Sequence, residues 1–454
     1  MSQKERANFG SKIGVVLATA GSAVGLGNVW RFPYMTGENG GAVFIILYLA
    51  CVLFLGIPCM IGEFIIGRRG ASNTFRAYDK VSGGSGWKFV GLLSVITGFL
   101  ITGYYCVVSG WCVQYVYGSV VGELSGDAAY VEQYFSDFSS SPWRPVVWTV
   151  VVLLITHFVI VRGVRDGIEK ASKLLMPLLF ILLLVIVVAS CLLPGGSKGI
   201  SFLFYPDFSK LNSDVFLGAL GQAFYSLSLA MGCVCTFASY FSRETHLTKS
   251  AAQVCVVDCL VAILAGLMIF PAAFSVGISP DSGASLVFIT LPNVFQQAFA
   301  DLPVLGRIIS FGFYALLTLA ALTSLISLHE VSTAFLHEEL NWSRGKGAAF
   351  VTGACIVIGT FCSLSLGGSG SLTFLGRSLF DWFDFITGQI FLPVGGFLTC
   401  IFLGWFVPKH IVKDEFTNWG TLRSTLFGTY LFLIRFVCPV AILVIFINQL
   451  GILG

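Results

Sequence analysis

The chain predicts an all-α polytopic membrane protein, on three observations: its composition, a succession of long apolar stretches, and small residues that interrupt two of them. Of 454 residues, 56% are hydrophobic and only 11% charged, and the mean hydropathy is +0.87. A soluble domain carries about a quarter charged residues. The formal net charge of +3 is too small to point to a nucleic-acid partner, so the lipid bilayer is the expected medium. The thirteen cysteines fall in the apolar stretches and include no CxxC pair. They are expected to pack as small hydrophobes and not as a disulfide framework.

Apolar stretches run at roughly 13–36, 41–66, 89–117, 146–161, 174–194, 215–242, 250–275, 308–336, 347–365, 378–405 and 424–450. Most are long enough to cross a hydrocarbon core as helices, so eleven spans are expected. Most Lys and Arg residues lie near 4–12, 68–88, 162–173, 243–249, 344–346 and 409–423. Those segments share one side if the amino terminus is cytoplasmic. The positive-inside tendency therefore places the amino terminus inside and, with an odd number of spans, the carboxy terminus outside. The acidic loop carrying Glu123, Asp127, Glu132 and Asp137 then faces out.

The first stretch contains AGSAVGLGNVWRFP at 20–33, where Gly21, Gly25 and Gly27 weaken a helix that carries no charge from Ile13 to Trp30. An unwound turn is expected there. Freed amides and carbonyls in hydrocarbon cost several kcal/mol each, roughly, so a break survives only where it lines a cavity or holds an ion. The sixth stretch has a matching interruption, GQAFYSLSLAMG at 221–232, with Ser226, Ser228 and Gly232. Two breaks five spans apart predict two halves of opposite orientation, about 9–195 and 213–405, plus an extra helix at about 421–450, within one transmembrane domain spanning 1–454. Broken helices at the midplane mark secondary transporters and point to ion-coupled solute transport. No HExxH motif is present, and His157, His246, His329, His337 and His410 lack metal-ligand spacing, so an enzyme is not expected. A channel would need a continuous polar pore, whereas the polar residues cluster at one depth.

Taken with ENGG at 38–41, GIPCMIGE at 56–63, ITGYY at 101–105, FITLPNVF at 288–295, AALTSLIS at 320–327 and FDWFDF at 380–385, these two segments resemble the bacterial neurotransmitter:sodium symporter family over essentially the whole chain. The resemblance implies the LeuT fold: ten core helices in two inverted repeats with broken first and sixth helices, here with eleven spans. It also implies a bacterial inner-membrane symporter for a small amino acid, with two sodium ions and no organic cofactor.

For the first sodium site the resemblance implies the Ala23 carbonyl, Asn28, Ser226 and Asp258, with the substrate carboxylate as a further ligand. For the second it implies the carbonyls of Gly21, Val24 and Ala320 with the hydroxyls of Thr323 and Ser324. All are hard oxygens, suited to sodium. Asp258 is a carboxylate inside an apolar span, expensive unless a cation meets it. It stands where chloride-dependent relatives carry a neutral amide, so chloride independence is expected. The substrate carboxylate is expected at the amides of Leu26 and Gly27 and the hydroxyl of Tyr105. Its ammonium is expected at carbonyls around Ala23, Tyr225, Ser226 and Ser228. The side chain would lie among Ser22, Ile101, Tyr225, Met231, Ser324 and Leu328, where no charge awaits it, so a neutral, hydrophobic amino acid is expected.

Charged residues bracketing this site match the family's gates. Arg31 and Asp384 form the expected outer pair, closing over Tyr105 and Tyr225; Arg6 and Glu338, with Tyr240 beside them, form the inner pair. Glu338 replaces a more familiar Asp, and Glu339 is an alternative partner for Arg6. Tyr225 stands where Phe is usual, and Ala230 where Gly is usual, so the methyl is expected to narrow the pocket. Glu63 resembles a buried carboxylate that bonds the unwound backbone of spans one and six. Gly167 and Pro177 have the spacing that lets the inner end of span five unwind.

Overall fold

The computed structural model describes residues 8–277, 287–367, 372–422 and 425–451. Among these, nine continuous helices are long and apolar enough to span: Ala42–Gly70, Lys88–Val121, Arg144–Val161, Val164–Cys191, Leu247–Ser275, Pro303–Glu339, Arg344–Leu366, Leu379–Phe406 and Phe427–Gln449. The first span is Lys12–Ala23 followed by Gly27–Glu38, bent by 54° at the break. The sixth is split into Ser213–Ser226 and Cys233–Ala238. Each of the eleven apolar stretches is thus helical, and the two that carry small polar interruptions are the two that break.

Within the spans the helix also widens locally into π turns. Four of these, at Gly27–Arg31, Val52–Gly56, Phe385–Phe391 and Leu433–Val437, run on as helix through a proline two residues later, Pro33, Pro58, Pro393 and Pro439. Proline has no N–H to donate and its ring crowds the carbonyl one turn back, so an extra residue in the preceding turn relieves the clash. Span five opens on another π turn, Val164–Glu169, before its regular helix from Lys170, which carries Pro177 in its interior. The amino-terminal end of span five is therefore irregular at Gly167, while the helix around Pro177 is regular.

The third and eighth spans are largely enclosed, while the fourth, fifth, ninth and eleventh turn much of their surface outward. All thirteen cysteines are free and twelve are buried. Two histidines meet inside the bundle through one hydroxyl: His157 Nδ1 lies 3.0 Å and His329 Nε2 2.9 Å from Thr352 Oγ1, tying spans four, eight and nine. In the loop after span three, Asp127 caps the helix Ala128–Ser139 by accepting from the Tyr130 amide at 2.8 Å.

At the end of span two, buried Arg68 donates to Glu415 Oε2 (2.7 Å), Asn418 Oδ1 (3.0 Å) and the Thr245 carbonyl (2.6 Å). It clamps the short helix Lys409–Phe416 and the loop ahead of span seven to span two. Glu415 is 1% exposed, so stripping away its main partner leaves a buried charge poorly compensated. Arg68→Ala is expected to cost about 3–5 kcal/mol, read as a lower melting temperature of the solubilised protein. Arg68→Lys should fall between. An unchanged melting curve for the alanine variant would show that the clamp does not hold this end together.

Candidate functional site

The first-span break begins where Lys12–Ala23 runs out of helix. The last four carbonyls of a helix have no partner inside it. Here the Ala20 carbonyl accepts the Val24 amide at 2.7 Å and the Ser22 carbonyl accepts the Ser228 hydroxyl at 2.8 Å. The other two belong to Gly21 and Ala23, which the expected oxygen sets include. Past the break, Asn28 Oδ1 accepts the Gly25 amide (3.1 Å), and the Leu26 amide donates to Tyr105 Oη (3.3 Å).

Three expected first-site residues converge. Asn28 Nδ2 donates to Asp258 Oδ1 (2.7 Å) and Ser226 Oγ (3.2 Å), and Ser226 Oγ donates to Asp258 Oδ2 (2.8 Å). A fourth residue was not anticipated: Tyr48 Oη donates to Asp258 Oδ2 at 2.9 Å. A tyrosine midway along an apolar span needs a partner for its hydroxyl, and that was the signal in the sequence. Asp258 is fully buried.

The expected second-site residues also lie together. Thr323 Oγ1 donates to the Ala320 carbonyl (2.9 Å) and lies 3.5 Å from the Val24 carbonyl. A Cβ on Gly21 would sit 3.3 Å from the Thr323 Cβ. Ser324 faces Gly25, where an added Cβ would sit 2.6 Å from its Oγ and 3.3 Å from Tyr105 Oη. Glycine at 25 is set by this close approach.

Ala23, Leu26, Ile101, Met231 and Leu328 are buried in one apolar core, with Tyr105 and Tyr225 packed against it. Ser22 Oγ is buried without a hydrogen-bond partner. In the sixth-span break Ser228, Ala230 and Gly232 all take positive φ. Ala230, at φ 64°, bears a left-handed conformation that costs a non-glycine residue about 1–2 kcal/mol. Its amide donates to Glu63 Oε1 at 2.6 Å. A Cβ built on Gly395 of the tenth span would sit 3.5 Å from the Ala230 methyl, so the methyl packs beside that span. Glu63 braces the sixth-span break; among the described residues it makes no hydrogen bond to the first.

The outer gate differs from expectation in its pairing. Arg31 and Asp384 form no ion pair: the Arg31 guanidinium lies over the Tyr225 ring, 4.6 Å from its centroid, and Asp384 Oδ1 accepts from Tyr104 Oη at 3.1 Å. Two aromatic neighbours separately occupy the two charges, and it is Tyr104, not Tyr105, that meets the carboxylate. On the inner side, Arg6 lies outside the described residues. Glu338 Oε2 accepts the Asn73 amide at 2.7 Å. Glu339 pairs with Arg76 at 2.7 Å. Tyr240 Oη donates to Glu330 Oε1 (2.7 Å), and Arg344 holds Glu330 with two hydrogen bonds of 3.0 and 2.5 Å. Glu330 is a carboxylate inside an apolar stretch, as Asp258 is, and the same cost argument singles it out.

The start of the first span is bonded to span five by Glu169, which accepts from the Gly10 amide (2.6 Å) and Ser11 Oγ (2.8 Å). Phe9 packs against Phe237, Tyr240 and Phe241.

Comparison with known proteins places this geometry among transporters. The family model described as the sodium:neurotransmitter symporter family matches residues 6–132 and 128–453. The chain is 36% identical over 462 residues to the uncharacterized sodium-dependent transporter YhdH of Bacillus subtilis, covering 100% of both. It is 35% identical to an uncharacterized sodium-dependent transporter of Haemophilus influenzae, covering 99% of both. The crystal structure of MhsT in complex with L-phenylalanine superposes with a TM-score of 0.87 at 39% identity, covering 98% of this chain and 100% of that one.

The crowding at Gly25 gives a direct test of the site. In Gly25→Ala the new methyl meets Ser324 Oγ, and overpacking of this kind costs roughly 1–3 kcal/mol, an affinity loss of about five- to 150-fold. Ligand protection against thermal unfolding should show that loss while the unliganded protein still folds. Unaltered protection would mean that this junction is not part of the site.

Proposed function

The chain belongs to the sodium:neurotransmitter symporter family, and on that premise we propose that its cargo is a neutral, hydrophobic amino acid, carried inward with two sodium ions and without chloride. The family membership itself makes it a sodium-dependent, multi-pass membrane symporter and not an enzyme. The observation that most supports the finer reading is the meeting of both helix breaks at Asn28, Ser226 and Asp258.

In this reading the first sodium is held by Asn28, Ser226, Asp258 and the Ala23 carbonyl. The Asn28 amide and the Asp258 carboxylate already touch, so an ion between them exchanges one hydrogen bond for oxygen ligation. The substrate carboxylate completes the shell, reaching also the amides of Leu26 and Gly27 and the Tyr105 hydroxyl. Amides at a helix start favour an anion. Because ion and substrate touch, each raises the other's affinity by the same factor. The ammonium group meets carbonyls of the sixth-span break around Tyr225, Ser226 and Ser228. Ser22, Ile101, Met231, Ser324 and Leu328 receive the side chain. MhsT, crystallised with L-phenylalanine, supports a substrate of this class.

The second sodium is assigned to the carbonyls of Gly21, Val24 and Ala320 with Thr323 and Ser324, where it joins the inner half of span one to span eight. Occupancy of both sites steadies the first-span break, and release loosens it. Arg31, Asp384, Tyr225 and Tyr104 act at the outer end. Tyr240, Glu338 and Arg6 act at the inner end. The halves 9–195 and 213–405 then rock about the breaks, with the amino terminus cytoplasmic. Asp258 supplies the fixed negative charge that balances sodium.

Uptake into proteoliposomes should require an inward sodium gradient and be unaffected when gluconate replaces chloride. Asp258→Asn, which deletes the charge and keeps an oxygen, is expected either to abolish uptake or to make it depend on added chloride. Wild-type uptake that needs chloride would sink the assignment. In counterflow with a panel of amino acids, neutral apolar ones should exchange, and lysine and glutamate should not. Exchange of either charged amino acid would require a pocket residue absent from this reading.

A further inference from the structure

Where the first and seventh spans begin, the surface hollows into a cavity of about 430 Å³, lined by the start of the first span and not by its break. That is within the 300–1,000 Å³ or so usual for ligand sites. Its lining combines apolar side chains of the first span, Ile13, Val16 and Leu17, with two cations, Lys12 and Lys249. Ile13 is 68% exposed although it starts a membrane span. Both lysines are exposed, and neither has an ion-pair or hydrogen-bond partner among the described residues.

His246 also lines it, at the cap position of the 29-residue helix Leu247–Ser275, where its side chain makes no capping bond. Its Nδ1 is buried without a hydrogen-bond partner among the described residues. The first-turn amides of that long helix thus lack a side-chain acceptor and, with the positive end of the helix dipole, favour an anion. Glu244 at the rim is the one acidic residue of the lining, against two lysines. An anion alone would have no use for the apolar wall, and an apolar molecule alone would leave the lysines and the helix end unmet.

We propose that this cavity holds an anionic phospholipid, its phosphodiester between Lys12 and Lys249 and its first acyl carbons along Ile13, Val16 and Leu17. Both spans begin at the head-group level of the same leaflet, the cytoplasmic one on the orientation proposed above. The bound lipid lies against the inner half of the first span and joins it to the seventh.

The test is lipid binding by the purified full-length protein, measured by native mass spectrometry with phosphatidylglycerol, phosphatidylcholine and soluble glycerol 3-phosphate. It needs neither sodium nor transport, so it stands apart from the symport reading. Phosphatidylglycerol should bind in preference to phosphatidylcholine, and glycerol 3-phosphate should not compete. One lysine near an anionic head group is worth about a fivefold change in affinity. Lys12→Gln and Lys249→Gln should each lose about that much and the double variant about 25-fold. Lys12→Arg with Lys249→Arg should retain binding, which separates lost charge from lost fold. Lys409→Gln with Lys413→Gln, two exposed lysines elsewhere, should bind as the wild type does. Wild-type affinity in the Gln double variant overturns the proposal, as does equal loss in the Lys409 and Lys413 control. Competition by glycerol 3-phosphate, or equal binding of phosphatidylcholine, overturns it too.

Discussion

Backbone amides and carbonyls cannot go unpaired in hydrocarbon, and this protein breaks two of its spans where that constraint is severe. The side chains that answer for the broken backbone are, almost one for one, the candidate site. Asn28 accepts the Gly25 amide, Tyr105 accepts the Leu26 amide, and Gln222 donates to the Gly27 carbonyl at 3.0 Å. Ser228 donates to the Ser22 carbonyl and Glu63 accepts the Ala230 amide. A ligand with a carboxylate, an ammonium or a positive charge can take over such contacts. The groups that make the breaks tolerable are thus the groups that make them useful.

The same logic explains why Asp258 sits where it does. A buried carboxylate without partners would cost several kcal/mol, roughly. Three donors, from Asn28, Ser226 and Tyr48, satisfy its two oxygens. They come from the first, sixth and second spans, so one charge organises elements that are distant in sequence. Glu330 does this at the inner end, where Tyr240 of the loop after span six and Arg344 of span nine meet on it. Arg68 and Glu415 repeat the arrangement at the end of span two.

Contacts at the two ends of the first span are of different kinds. The half before the break is fixed by hydrogen bonds to Glu169 and by the aromatic packing of Phe9. The half after it sets a cation over a ring, Arg31 on Tyr225. Neither end depends on a direct ion pair between Arg31 and Asp384, and contacts divided among several weak partners can be remade one at a time.

What the sequence by itself determined is what local chemistry controls. Hydropathy set eleven helical spans because their length and composition leave few alternatives in a bilayer. The small residues of 20–33 and 221–232 located both breaks, because glycine and serine weaken a helix wherever they fall. Asp258 was legible because a carboxylate in an apolar run demands a partner, and Glu330 carried the same signal. Only the tertiary structure decided who meets whom. That Tyr48 bonds Asp258, that Asp384 meets Tyr104 and not Arg31, that Glu339 belongs to Arg76, and that Ala230 packs beside Gly395 all depend on how helices distant in the chain rotate and pack against one another. A hydrogen bond is made or lost within a few tenths of an ångström, and no pattern along one helix sets the position of another to that tolerance.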